Sequence, residues 1–477
     1  MTLPYILIAA ALAGLIGFIL PGRWRGWVLL IISALAIYAL QPATPIRGVD
    51  FWLPTATLVL AVAGWLVSTP PEARGGRSNL TAAMLLVACA VSVDLTRYVG
   101  SGDWFQTIRP PHPAQVITGL IFTTLLLFWA ARFLRSARLI VNLNWGLLLI
   151  LIVLLVVLKS PVVAAFAAGG LRGMTGQSIS LASSADLRWL GFSYVSFRLI
   201  HTLRDRLNGR LPQLNLREYI IYVIFFPAFT AGPIDRAERF ITDLRNPPQR
   251  NADDLGEAAR RLLLGLFSKF VIADTLAMVA LNGSNAGQAQ STGWLWLLVY
   301  AYTLQIYFDF SGYTSIAIGL GRLLGIKLPE NFNLPYLKPN LTQFWNNWHM
   351  TLTQWFRAYF FNPLTRALRS SNNPTPVAVV IFITQLSTMI LIGLWHGVTW
   401  NFLLWGAWHG LGMFLQNRYS EFARLKIFTR PLSPAVQTIL NGLGTAATFH
   451  FVALGWVWFA LPDPAQSWSV LLRLFGF

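Results

Sequence analysis

Apolar runs of bilayer length, separated by short loops whose basic charge alternates, leave this chain essentially one class of architecture. The first six runs are Leu3–Leu20, Trp27–Leu40, Phe51–Val67, Leu80–Val93, Ala114–Leu134 and Leu139–Leu158. They approach or reach the ~20 residues a helix needs to cross a hydrocarbon core of ~30 Å. No water reaches backbone N–H and C=O groups there, so each run must satisfy its own hydrogen bonds as a helix. Composition agrees: 55% of the 477 residues are hydrophobic and 11% charged, where a soluble chain carries about a quarter charged residues. The expected fold is an all-α, polytopic integral membrane protein.

Loop charge sets the orientation. Arg23 and Arg25 belong inside, the weakly charged Gln41–Asp50 outside, and Glu72, Arg74 and Arg77 inside. Asp94, Arg97, Asp103 and Arg109 cancel, as an outside loop allows, and Arg132, Arg135 and Arg138 return inside. The first basic residues follow the first apolar run, so no cleavable signal peptide is expected and the N-terminus faces out. The formal net charge of +18 belongs to loops facing anionic headgroups, with the lipid bilayer rather than nucleic acid as partner. Cys89 is the sole cysteine, which excludes an intramolecular disulfide and a cysteine metal site.

Beyond Pro161 the runs shorten and polar residues interrupt them. Tyr219–Phe229 is too short to cross and has basic segments on both sides, which predicts a re-entrant hairpin. Spans are expected at Leu262–Leu281, Gly293–Phe310, Val377–Trp395, Trp400–Leu415 and Thr438–Ala460. Arg322, Lys327 and Lys338, and later Arg424, Lys426 and Arg430, mark inside loops. Pro329, Pro335 and Pro339 make Leu328–Asn340 a non-helical linker, and Ser370–Pro374 reads as a turn. The total is about eleven spans plus two or three re-entrant or amphipathic pieces.

Chemistry concentrates between Asn340 and Gly410, which holds three of the six histidines. Across Phe344–Arg369, Trp345, Trp348, Leu352, Trp355 and Tyr359 form one apolar helical stripe, with His349 sharing a polar face with Asn346 and Thr353. On periodicity alone this is an interfacial amphipathic helix. His396 ends the span before it, with Gly397 allowing a backbone bend, and Asn401 and His409 follow among apolar residues. A neutral imidazole suits a general base, although a histidine held between packed helices explains the same pattern. Asp309, in Tyr307–Tyr313, is placed as the cap of a helix beginning near Ser311. No phosphate-binding glycine loop, nucleophile elbow or metal-ligand spacing occurs. Two classes remain: a transporter of glycan or lipid precursors, and an intramembrane transferase.

Several blocks in collinear order narrow this. They are Phe226-Pro227 with Gly232-Pro233-Ile234, Lys269 with Ala273-Asp274, Tyr307–Tyr313, Leu328–Tyr336, Phe344-Trp345 with Trp348-His349, and Trp395-His396-Gly397 with Asn401 and Trp405-Gly406. The set, spanning 191–410, resembles the membrane-bound O-acyltransferase family. The similar branch contains bacterial alginate O-acetylase and the membrane protein that D-alanylates teichoic acids.

The resemblance implies a ring of helices enclosing a tunnel, in the cytoplasmic membrane of a bacterium. It implies a catalytic membrane domain over 141–477, with 1–140 unassigned. A small acyl group, acetyl in the first reading and D-alanyl in the second, would pass from a cytoplasmic thioester to an extracytoplasmic hydroxyl. Cell-surface polysaccharide would be the eventual acceptor. His396 is carried over as the family histidine and His349 as the branch-specific one, with Trp345, Trp348, Trp395, Asn346 and Asn401 supporting and Asp309 and Arg357 as scaffold. No cofactor is permanently bound. The donor is acetyl-CoA or an acylated carrier protein, and an extracytoplasmic esterase-like protein is the implied relay partner. Asn346-Asn347 stands where the branch often has a basic pair, and Ala358 where an acidic residue often follows the arginine.

Overall fold

The computed structural model describes residues 2–98, 110–247, 252–370, 375–427 and 433–477. Asp103, Arg109, Arg430 and the turn over 371–374 lie outside them. Among the described residues every regular element is helical. Six helices are long and apolar enough to cross a membrane: Val49–Ser68, Arg77–Tyr98, Pro113–Phe133, Ala137–Lys159, Val377–His396 and Pro434–Ala460. Phe122, Leu125, Trp129 and Leu149 on the third and fourth are exposed, as side chains facing hydrocarbon should be.

The chain forms two units, Met1–Leu262 with Ile316–Pro329 and Leu263–Ser315 with Glu330–Phe477. In the first, Leu216–Ile224 is a nine-residue helix followed by a 3₁₀ turn, Phe226–Ala228. It replaces the expected hairpin with a short helix that protein surrounds; Tyr219–Phe229 is buried throughout. Backbone freed where this helix ends needs a partner away from water. Arg198 provides it, with Nη1 donating to the Val223 carbonyl at 2.9 Å and Nη2 to the Ala228 carbonyl at 2.8 Å. Gly191, at φ 71°, lies where a Cβ would meet the Phe229 ring at 2.6 Å, so both backbone and space require glycine.

In the second unit, Val377–His396 and Trp400–Phe422 pack through glycines. A Cβ on Gly406 would come within 2.6 Å of the Met389 carbonyl, and one on Gly410 within 2.9 Å of the Leu386 Cα. Apolar side chains gain little by leaving lipid for each other, so close backbone approach carries helix association. Three helices outrun their sequence estimates: Thr292–Leu323, Trp400–Phe422 and Pro434–Ala460. The segment expected as Leu262–Leu281 starts earlier, as Ala252–Leu266 running into a π-helical stretch, Phe267–Ala273.

Candidate functional site

The candidate histidines His349, His396 and His409 all lie in the second unit, and the first of them sits where a helix was expected. The predicted helix Phe344–Arg369 is broken. Leu341–Asn347 ends, Met350–Phe356 begins afresh, and Arg357–Phe361 (π-helical) and Asn362–Arg369 follow. His349 lies in the gap with φ 42° and ψ 53°, a left-handed conformation that non-glycine residues seldom adopt but that Asn, Asp and His tolerate best. Strain of this kind persists only where the surroundings over-determine it.

Asn331, fully buried, does so. Its carbonyl accepts from Met350 N–H at 2.9 Å. Its Oδ1 accepts from Thr351 N–H at 3.2 Å and Thr351 Oγ1 at 2.7 Å. Asn333 N–H donates to the Asn347 carbonyl at 3.1 Å. The expected non-helical linker is therefore present, interrupted by one 3₁₀ turn at Pro335–Leu337, and it serves as a brace.

The brace also selects a tautomer. His349 Nδ1 is 3.3 Å from Asn331 Oδ1. That atom takes the Thr351 backbone N–H, so it is the amide oxygen and only accepts; the imidazole must carry its proton on Nδ1. Nε2 is left as a bare lone pair, buried and without a hydrogen-bond partner among the described residues. Phe310 stands edge-on to the ring, 4.6 Å between centroids. Burial pushes the imidazole pKa down to about 3, so His349, which lies outside the six candidate spans, is neutral at ordinary pH. A neutral ring with Nδ1–H engaged can accept a hydrogen bond but cannot donate one to an oxyanion.

His396 is the last residue of its helix. The chain bends there into the next helix, Trp400–Phe422, but Gly397 itself is extended, at φ −174°, a conformation open to any residue. Glycine is needed there because a Cβ would meet the Phe402 ring at 2.6 Å. The His396 ring touches Trp395, Phe402, Trp405 and Phe459, with centroids 4.6, 5.9, 5.6 and 4.9 Å away. Trp395 also lies 6.4 Å from the His349 ring, so one indole separates the two imidazoles. Trp405 leads on to His409, which lies 5.0 Å from both Trp405 and Trp345. His409 is wholly buried, with neither ring nitrogen paired among the described residues.

The remaining predicted residues divide. Trp345 joins the ring cluster, and Trp348 packs on Tyr336 and Trp456 behind it. Asn346 is exposed and accepts from Arg357 Nη2 at 2.6 Å; with the helix broken, it no longer shares a face with His349. Asn401 Nδ2 donates to the Trp458 and Leu461 carbonyls at 3.2 and 2.6 Å and to Ser467 Oγ at 3.0 Å, tying down a helix end. Asp309 is not a cap, because Thr292–Leu323 runs through it; it pairs with Lys269. Asn331 was legible as part of a family block, but nothing in that block names it as the partner of His349. Among the described residues no three His, Cys, Asp or Glu side chains converge as a metal site.

A model of the membrane-bound O-acyltransferase family matches residues 118–452. A probable alginate O-acetylase of Pseudomonas syringae pv. tomato is 37% identical over 288 residues, 60% of this chain and 51% of that protein. A teichoic acid D-alanyltransferase of Streptococcus thermophilus is 32% identical over 293 residues, 57% of this chain and 68% of the relative. A peptidoglycan O-acetyltransferase of Helicobacter pylori is 32% identical over 313 residues, covering 63% and 56%. The chain spans about half the length of the alginate O-acetylases it matches.

Proposed function

Because the chain belongs to the membrane-bound O-acyltransferase family, we propose that it transfers a small acyl group, acetyl, from a cytoplasmic thioester to a hydroxyl on an extracytoplasmic acceptor. The observation that carries this reading is a buried, tautomer-locked imidazole, His349, one indole away from His396. In the proposed reaction the acceptor oxygen attacks the thioester carbonyl while His396 takes the hydroxyl proton. The C–S bond then breaks, and the proton passes to the departing thiolate, leaving an ester and a free thiol. The Nε2 of His349 accepts from an amide N–H of the donor's pantetheine arm, a feature common to acetyl-CoA and acylated carrier proteins. That contact fixes the carbonyl relative to His396, and positioning of this kind is worth several kcal/mol of barrier. The fold reading belongs with it: about eleven spans in a ring around a tunnel, N-terminus outside, in a bacterial cytoplasmic membrane, with an esterase-like partner taking the acyl group onward to polysaccharide.

The test is reconstitution of the full chain in vesicles, with acyl-labelled acetyl-CoA or carrier protein on one side and an acceptor polysaccharide on the other. Label should reach the acceptor with one thiol released per ester formed. Movement of unmodified acceptor or precursor without thiol release would instead identify a transporter. Transfer from D-alanyl carrier protein alone would favour the second reading, which the Streptococcus thermophilus relative supports.

Asn331 gives a finer prediction. Replacing it with Leu removes the acceptor that holds the Nδ1 proton, while Asp retains one. At metal sites, loss of the partner that fixes an imidazole's other nitrogen typically costs about tenfold to a hundredfold, and the same tautomer and ring orientation are at stake here. Asn331→Leu should therefore raise KM for the donor by that order, with the acceptor KM unchanged and Asn331→Asp recovering most of it. An equal rise in both KM values would mean that Asn331 supports only the fold.

A further inference from the structure

The triplet Trp395-His396-Gly397 recurs as Trp408-His409-Gly410, and the proposed reaction gives the second histidine no part. His409 lies on the helix Trp400–Phe422 of the second unit, wholly buried, with neither ring nitrogen paired among the described residues. That arrangement costs stability, because an imidazole brings a donor and an acceptor that water would otherwise satisfy. An apolar side chain of similar volume would fill the place without that cost. A packing rule broken in this way beside a site points to function rather than to folding.

Three neighbours fix where the ring stands. Trp345 and Trp405 each lie 5.0 Å away between centroids, at interplanar angles of 86° and 65°. In such near-perpendicular pairs the electropositive edge of one ring meets the electron-rich face of the other. The third neighbour is Gly455 of the helix Pro434–Ala460, where a Cβ would lie 2.7 Å from His409 Nε2. Glycine thus leaves space for a five-membered ring, and a six-membered ring reaches further and would strike the helix. The two indoles lead to different histidines. Trp345 belongs to Leu341–Asn347, the short helix that ends at the His349 gap, and Trp405 stands 5.6 Å from the His396 ring. His409 therefore closes a bracket between the segments bearing His349 and His396, on a route separate from Trp395, which lies directly between the two rings.

We propose that His409 is a positioning residue for the acyl transfer, setting the separation of His349 and His396 through Trp345 and Trp405. The inference rests on the acyl-transfer reading. A single indole between two imidazoles fixes their spacing but leaves each free to pivot about it, and a second bracket removes that freedom. In this role His409 meets neither reactant. It acts on geometry alone, and a misplacement of about 1 Å at a reacting centre can cost about 10²-fold in rate.

The test compares the full chain in vesicles with His409→Leu, Gly455→Ala, the double variant and Gly442→Ala. His409→Leu removes the ring, whereas Gly455→Ala keeps it and presses on its Nε2 edge. Gly442 is the control, on the same helix, where a Cβ would meet no heavy atom within 4 Å. His409→Leu and Gly455→Ala should each lower kcat about 10²-fold. Both KM values, the acid limb of the rate profile and the unfolding temperature should stay near those of the wild type, and Gly442→Ala should change none of them. The double variant should lose no more than His409→Leu, because the added methyl then has no imidazole to displace. Wild-type kcat in His409→Leu, a loss that merely follows the folded fraction, or losses that add in the double variant would overturn the proposal. Electron cryomicroscopy of His409→Leu gives a readout independent of turnover: the Trp345 and Trp405 rings should close on the vacated space and the separation of His349 from His396 should change. Unmoved rings overturn the positioning role, whereas a wild-type chain that transfers no acyl group overturns the acyl-transfer reading itself.

Discussion

His396→Ala is expected to lower kcat by about 10²–10⁴-fold, the usual worth of a general base, while leaving KM for the donor near its original value. Each decade is ~1.4 kcal/mol of barrier, so the imidazole is being asked for about 3–5 kcal/mol. His396 packs against four aromatic rings, so truncation also opens a hole beside Phe459 and Trp405. A second variant, His396→Gln, fills much of that space without a group that takes a proton near neutral pH. The two should lose activity alike despite different packing. Wild-type turnover in either, at normal expression and folding, would remove His396 from the chemistry.

His349→Asn is expected to cost on the order of 10²-fold in kcat/KM for the donor, the size of a lost positioning contact, with the fold retained. Asn is chosen because residue 349 has φ 42°, where Asn is tolerated and Ala or a β-branched residue adds strain. A loss in His349→Ala alone would thus be ambiguous between chemistry and backbone. The buried ring also makes a pH prediction. Its folded-state pKa is lowered to about 3 from an ordinary value near 6.5, so below pH 6.5 the unfolded chain binds a proton that the folded chain refuses. Stability should therefore fall as pH drops from about 6.5 towards 3, and His349→Asn should flatten that part of the curve. The acid limb of the rate profile, by contrast, should keep its position in His349→Asn. Full activity in this variant would return the segment to a purely structural role.

How far the chain could be read differs from residue to residue for physical reasons. The helix ending at His396 was placed within a residue, because one long apolar run between polar breaks admits little else in a bilayer. The stripe from Trp345 to Tyr359 misled, because helical spacing describes which side chains would align if the backbone stayed helical. It is blind to a competing set of hydrogen bonds. Here Asn331, eighteen positions earlier, offers its amide oxygen and its carbonyl to His349, Met350 and Thr351, and the helix yields. Asp309 failed in the opposite sense: its position before Ser311 suited a cap, but the helix continues through both and Lys269 takes the carboxylate.

What the amino-acid order determined by itself was the material of the protein: an all-helical membrane chain, its strongest spans and the stretch holding the histidines. These follow from local rules, since hydrocarbon imposes the same hydrogen-bonding demand on every residue that enters it. Tertiary structure alone decided which nitrogen of His349 carries the proton, which indole lies between the two imidazoles, and which glycines are needed for space rather than for backbone freedom. Those depend on atoms brought together from distant parts of the chain, and no periodicity along the sequence records them.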